Sequence, residues 1–475
     1  MGTTARSWLA SAIVVALATG GIAQAAPATS PNLLVQPSRV VAQPTVTGPI
    51  TGGIRTGKPY NTTQVPLTNG YIEQEFFYEG TATSAAGLQR PYKTRILVRR
   101  PSDAKLFNGS VVLDWNNVTV PDDTDVNWQP SHPAIMKRGF VYVAVAAQLL
   151  SQEVSPLALK QWDPVRYGSL SHPTDDYSFD IFSQAAEAVL DPKVLGSLRP
   201  KVARRLALGA SQSGGRLLTY INDWHAKHRV FDGFGPQISS PNGVKRDLVP
   251  VLWMQSQSET GSTIVGPDSG LFRLWELAGP AHAPNAYSQY QNSTYVYSHS
   301  NGAARPYDHN KDNAWGYNGA PGDCVVRNFF NASFGYQAHL IALDTWVRTG
   351  KAPAPMPRTA RDGTVRIYDR FDNVKGGIRS PQTDVPIAGY FAGGRPTGTQ
   401  DPCALAGSNL PLTGTTHLFD AATLKSLYPK QGDYVRKFSA SIDQALRAGF
   451  ILPEGAEELR VRAKDAGAYV DRAID

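Results

Sequence analysis

Beyond residue 25 the chain has no apolar run of the roughly 20 residues that a spanning helix needs, so its body reads as water-soluble. Runs of positive charge are missing too: pairs such as Arg99-Arg100 and Arg204-Arg205 stand alone. With 46 Lys and Arg against 39 Asp and Glu, the formal charge is +7. That excludes a nucleic-acid footprint and leaves the charges as solvated surface. Cysteine is scarce, with only Cys324 and Cys403, and neither has histidines at ligand spacing, which argues against a metal site. No internal repeat appears, and nothing in the composition calls for a cofactor or sets an oligomeric state.

What is present begins with a leader. Arg6 precedes an apolar stretch from Trp8 to Ala18, which closes in Gly20-Gly21 and Ala23-Gln24-Ala25. The length and the small residues fit a cleaved export signal over residues 1–25 and predict a secreted or periplasmic protein. In that oxidising setting Cys324 and Cys403 are expected to join as a disulfide. Residues 26–70, rich in Pro, Gly and Thr, are predicted to lie extended on the surface.

From Tyr71 the pattern turns to strands, first Tyr71–Phe77 and Tyr92–Val98, then the fully apolar Ser110–Leu113 and Phe140–Ala146. A helix is predicted over Phe179–Leu190, a short strand at Leu206-Ala207-Leu208, a second helix over about Gly214–His225, and further strands at Val251–Met254 and Phe272–Leu277. Alternating strand and helix predict an α/β core over residues 71–350, with a mostly parallel central sheet flanked by helices.

Leu206-Ala207-Leu208 runs directly into Gly209-Ala210-Ser211-Gln212-Ser213-Gly214-Gly215 and then a helix, the strand–turn–helix setting of a nucleophile elbow and hence of the α/β-hydrolase fold. Such a turn strains the serine backbone, and small neighbours such as Gly209 and Ser213 avoid collision around Ser211. The same rule fits Ser213, flanked by Ser211 and Gly215, so Ser213 is the alternative nucleophile. The backbone N–H of Gln212, at the helix N-terminus, is placed to meet an oxyanion. In this fold the partners follow in the order serine, acid, histidine. Glu259, past the strand at Val251–Met254, and His282, past Phe272–Leu277, meet that order. His417 is the next candidate base; His339 falls in a helical pattern, and His132 stands beside Pro133, where it would line the pocket. The second oxyanion donor is expected from the loop after Ser110–Leu113, at the backbone of Asn117 or Val118, with Trp115 as a pocket wall. Glycosylation triplets start at Asn61, Asn117, Asn292 and Asn331.

The chain resembles a family named for containing an α/β-hydrolase domain. The likeness runs through Gly48-Pro49-Ile50, Gly70-Tyr71-Ile72-Glu73, Tyr92–Val98, Trp162-Asp163-Pro164 with Arg166-Tyr167-Gly168, and Gly209–Gly214. It continues in Arg273–Gly279 before His282, in Gly376–Pro381, and in Cys403 with Gly407-Ser408. The family's elbow is similar to Gly-x-Ser-Gln-Ser-Gly, often with a larger residue where Gly215 stands, which favours Ser211; the small Gly215 keeps Ser213 sterically open. Shared segments beyond residue 350 imply that 351–475 is a cap or flank of the same domain, and its aromatics are expected to shape the pocket.

The expected activity is hydrolysis of a small-molecule or natural-product carboxylic ester, with Ser211 as nucleophile, His282 as base, Glu259 orienting it, and no cofactor or metal. The same triad serves a lactonase, a peptidase or an acyltransferase, because the pocket chooses the substrate. A binding protein that kept the fold without turnover is the alternative from another class.

Overall fold

The computed structural model describes residues 40–239, 243–244, 248–260, 265–300, 302, 320–363, 365–392 and 410–475. The leader and Cys403 lie outside the described residues, so the export signal and the disulfide pairing do too.

Nine strands form the main sheet: β1 (Thr45–Thr47), β2 (Tyr71–Thr83), β3 (Gln89–Pro101), β4 (Ser110–Trp115), β5 (Val141–Val145), β6 (Arg204–Ala210), β7 (Gly233–Gln237), β8 (Val251–Gln255) and β9 (Phe272–Glu276). Their order is β1-β2-β3-β5-β4-β6-β7-β8-β9. The long β2–β3 hairpin and the β3–β5 pair are antiparallel, and every pairing from β5 through β4 to β9 is parallel. This is the α/β-hydrolase arrangement, with the carboxyl ends of the central strands along one edge.

The central strands read as continuous apolar runs because both of their faces are covered. Val111 and Leu113 of β4, Val141, Val143 and Val145 of β5, and Val251 and Trp253 of β8 point into one core, with Phe182, Leu217 and Tyr220. These last three come from the helices Ser178–Ala188 and Gln212–Asp223. The alternate residues Val112, Tyr142, Leu208, Leu252 and Met254 enter a second core. The helices Trp128–Arg138 and Ser333–Thr349 cover it, together with Asp433–Ala448 and Pro453–Ile474 from the C-terminal region. Among the strands after residue 350, Thr415–Leu418 pairs with Ala388–Phe391 on one side and with Cys324–Val326 on the other in a small antiparallel sheet.

Two readings change. The stretch predicted to lie extended on the surface is buried at Tyr60, Asn61, Thr62, Gln64 and Val65, because it covers charged side chains rising from β2 and β3. Several elements have no counterpart in the sequence pattern, among them β7, the helices Trp128–Arg138, Asp433–Ala448 and Pro453–Ile474, and Asn285–His299, which follows the loop carrying His282. No helix among the described residues is long and apolar enough to cross a membrane, and no cluster of His, Cys, Asp and Glu there is fit to hold a metal ion.

Candidate active site

Ser211 stands between β6 and the helix Gln212–Asp223 with φ 60 and ψ −122, a conformation that costs a non-glycine residue on the order of 1–3 kcal/mol. The Ser211 N–H donates to the Gln237 carbonyl at 3.0 Å, tying the turn to the end of β7. The turn is tight enough to need its glycines: a Cβ on Gly209 would lie 2.7 Å from the Ser213 carbonyl oxygen, and one on Gly214 would lie 2.7 Å from that of Gln237. Gly215 faces open space, so its small size answers no steric demand.

His282 and Glu259 lie on neighbouring loops after β9 and β8. The imidazole Nδ1 is 2.6 Å from Glu259 Oε1 and Nε2 is 2.8 Å from Ser211 Oγ. An ionised carboxylate only accepts, so Nδ1 carries the proton and Nε2 accepts from the serine hydroxyl. The other carboxylate oxygen of Glu259 accepts from the Ser256 N–H at 2.9 Å and the Ser256 hydroxyl at 2.7 Å, which fixes its plane. The loops are also tied to each other: the Gln257 N–H donates to the Pro280 carbonyl at 3.0 Å, the Gly279 N–H to Gln257 Oε1 at 2.8 Å, and the His282 N–H to Ser258 Oγ at 2.9 Å.

Ser213 is not placed for the same role. Its hydroxyl is buried, donates to the Ala210 carbonyl at 2.9 Å and accepts from the Ala210 N–H at 3.1 Å, closing the first turn of the helix. His339 is buried between the Leu252 carbonyl and the Gln237 amide, and burial lowers its pKa to about 4. His132 is buried with Nδ1 against the Gln129 carbonyl and does not line the cavity at Ser211; His417 sits within the strand Thr415–Leu418. Trp115, expected as a pocket wall, is sealed beneath it, packed on Phe179 and Phe182 and bonded to Gln148. The burial of Asn61, Asn117 and Asn331 closes three of the four glycosylation triplets in the folded chain.

The Gln212 N–H has no acceptor among the described residues and lies one residue beyond Ser211. The expectation for Asn117 needs correction. Its backbone N–H donates to the Thr124 carbonyl at 2.7 Å and its side-chain amide to the Ala210 carbonyl at 2.9 Å, so the loop closes on itself and on the elbow. Its neighbour Val118 keeps an N–H without an acceptor among the described residues.

The loop from Asn116 to Asn127 is fixed from below by two buried arginines of β3. Arg95 donates to Asp123 at 2.6 Å and to Glu75 at 2.7 Å, and Glu75 also accepts from Arg166 at 2.7 Å. Arg99 donates to Glu73 at 2.7 Å and to Asp125. Asp114, at the end of β4, accepts from Tyr142 at 2.6 Å and from the Asn127 amide at 2.8 Å; burial raises its pKa to about 7. These contacts join residues far apart in the chain, and no local pattern announces them.

Ser211 and His282 open on a cavity of about 520 Å³, walled by the Asn117–Val126 loop, by Tyr287 and Asn292 of the helix after His282, and by Arg327. A side cavity of about 20 Å³ adjoins it at His282, among Val126, Ile238 and Tyr336. Tyr287 and Arg327 were not read from the sequence. Tyr287 was within reach, since it follows His282 closely on the next element.

A family model described as "Alpha/beta hydrolase domain" matches residues 46–461. No curated protein matches the chain. Among solved structures the chain is similar to oligopeptidase B from Leishmania major, at 15% identity over 36% of this chain and 20% of that one, with a TM-score of 0.22. It is similar to a brefeldin A esterase, a bacterial homologue of human hormone sensitive lipase, at 15% identity over 38% of this chain and 44% of that one, with a TM-score of 0.23. A dienelactone hydrolase from Anabaena variabilis ATCC 29413 matches at 12% identity over 48% of this chain and 98% of that one, with a TM-score of 0.27. The chain thus spans less than half the length of the first two.

Proposed function

This chain belongs to the α/β-hydrolase domain family, and from that premise we propose that it is an exported serine hydrolase that cleaves a carboxylic ester through Ser211, His282 and Glu259. Export rests on the leader pattern over residues 1–25. The catalytic reading rests on one observation: an unbroken path of hydrogen bonds from Glu259 through His282 to Ser211 that ends at an open cavity.

Ser211 Oγ attacks the ester carbonyl carbon while His282 Nε2 takes its proton. The carbonyl oxygen becomes an oxyanion and is met by the N–H groups of Gln212 and Val118. Collapse breaks the bond to the alkoxy oxygen, which leaves as the alcohol with the proton from His282. Water then attacks the acyl-serine, His282 takes a proton from it, and the second collapse returns that proton to Ser211 Oγ and releases the acid. The sum is ester plus water to acid plus alcohol. Glu259 keeps Nε2 as the acceptor and balances the imidazolium formed in each half. A single 520 Å³ cavity suits a small-molecule ester.

A fluorophosphonate probe followed by peptide mapping tests the assignment. Labelling at Ser211, lost in Ser211→Ala, is expected. Labelling at Ser213 overturns the choice of nucleophile, and labelling at neither serine favours a binding protein of the same fold.

A further inference from the structure

We propose that the ester carries a carboxylate on the part that fills the larger cavity, and that Arg327 holds it. This rests on the serine-hydrolase reading of the same site. The cavity wall is nearly free of charge. Beside Ser211 and His282 it presents neutral polar groups such as Thr119, Gln289, Gln291 and Asn292, and no Asp or Glu among the described residues lines it. Arg327 is the one guanidinium there among the described residues.

Nearby arginines are engaged by the protein itself: Arg366 donates to the Ser258 and Thr260 carbonyls, Arg358 pairs with Asp268, and Arg379 pairs with Asp384. The Arg327 side chain is exposed and has neither ion pair nor hydrogen bond among the described residues. Its backbone has φ 94, in the region that favours glycine. It is held there because its N–H donates to the Gly414 carbonyl at 3.1 Å and its carbonyl accepts from Thr416 Oγ1 at 3.2 Å, while the next N–H, of Asn328, donates to the Thr413 carbonyl at 2.8 Å. A strained backbone at the rim of a reactive cavity, carrying an uncommitted cation, fits a ligand clamp better than a surface charge.

A guanidinium offers a planar fork of donors that matches a carboxylate with two parallel bonds. One such group, with no second Lys or Arg in the wall among the described residues, suits a monoanion. The side cavity of about 20 Å³ beside His282 has room for a methyl-sized branch at most. Bulk and charge therefore fall on one side of the scissile bond, and a small apolar group on the other.

The test compares 4-acetoxybenzoate with its neutral partner 4-acetoxybenzamide, reading the ratio of kcat/KM. The native protein is expected to prefer the carboxylate by about tenfold or more at low salt, since a hydrogen bond to a charged group is worth about that factor, with the preference shrinking as ionic strength rises. Arg327→Gln is expected to bring the ratio close to one, Arg327→Lys to keep part of it, and Arg327→Glu to invert it. A ratio unchanged in Arg327→Gln overturns the proposal. Failure of the underlying reading has a different appearance: neither ester is cleaved and the fluorophosphonate labels no serine. Calorimetric binding of 4-acetamidobenzoate against 4-acetamidobenzamide then decides. A carboxylate preference lost in Arg327→Gln upholds the anion site without the hydrolase, and equal binding overturns both.

Discussion

Glu259 and His282 sit on loops after β8 and β9, and His282 keeps one side toward the cavity, whereas Arg95, Arg99, Asp123 and Asp125 lie sealed under the opposite wall. Both groups are charged or polar, yet they are built on opposite rules. The His282 side chain retains 17% exposure, which the base of the proposed mechanism needs in order to reach a substrate. The Arg95 side chain has 1%, and each of its partners is equally dry. Dry pairs are strong in geometry and unforgiving in loss: removing one partner leaves the other charge buried and unpaired. One wall of the cavity thus suits the proposed turnover and the other holds position.

Substitutions on the two walls separate these roles. Ser211→Ala is expected to lower kcat/KM by about 10⁴-fold or more while leaving the melting temperature where it was, because its hydroxyl bonds only to His282 among the described residues. Ester hydrolysis assays beside thermal melts check this, and an active variant breaks the comparison at its first term. Asp123→Asn is expected to act the other way round, with a loss of about 3–5 kcal/mol in urea unfolding, since Arg95 loses the carboxylate that takes two of its donors. If stability holds while activity falls, the lower wall is doing chemistry and the distinction fails.

A smaller effect concerns the buried base behind the elbow. His339 stays neutral, with its pKa lowered to about 4 from an ordinary value near 6.5, so the unfolded chain binds its proton first as pH falls. Its share of stability is present above about pH 6.5 and is lost toward pH 4, on the order of 3 kcal/mol in all. Stability measured across that window should fall less steeply in His339→Gln than in the native protein. Equal slopes would show that His339 takes up its proton without penalty.

What the sequence made legible follows the same physics. The elbow was readable because strand, turn and helix are contiguous, and the order of Glu259 and His282 because each follows an apolar strand. β7 escaped notice because its neighbours demand residues that strands usually avoid. A Cβ on Gly233 would meet Val347 Cγ2 at 2.6 Å, and one on Gly235 would meet His339 Cε1 at 2.7 Å, so the helix Ser333–Thr349 lies directly on the strand backbone. Pro236 adds a residue rare in central strands. Tyr60 to Val65 look like surface because their burial depends on Arg95 and Arg99, whose pairing partners are spread from Glu73 to Asp125. The Asn117 N–H is taken by the bridge to Thr124, a contact with no signature in composition. Arg327 reaches the cavity from beyond a long intervening stretch, and nothing near it in the chain points there.

The ties between the loops of Glu259 and His282 make acid and base one mechanical part. A thermal displacement of either loop carries both residues, so the Nδ1–Oε1 contact is stiff and the soft coordinate of the site is the gap from Nε2 to Ser211 Oγ. The residues facing that gap from the other side, on the Asn117–Val126 loop, take no part in those ties. Substitutions on that loop therefore leave the contact between Glu259 and His282 in place.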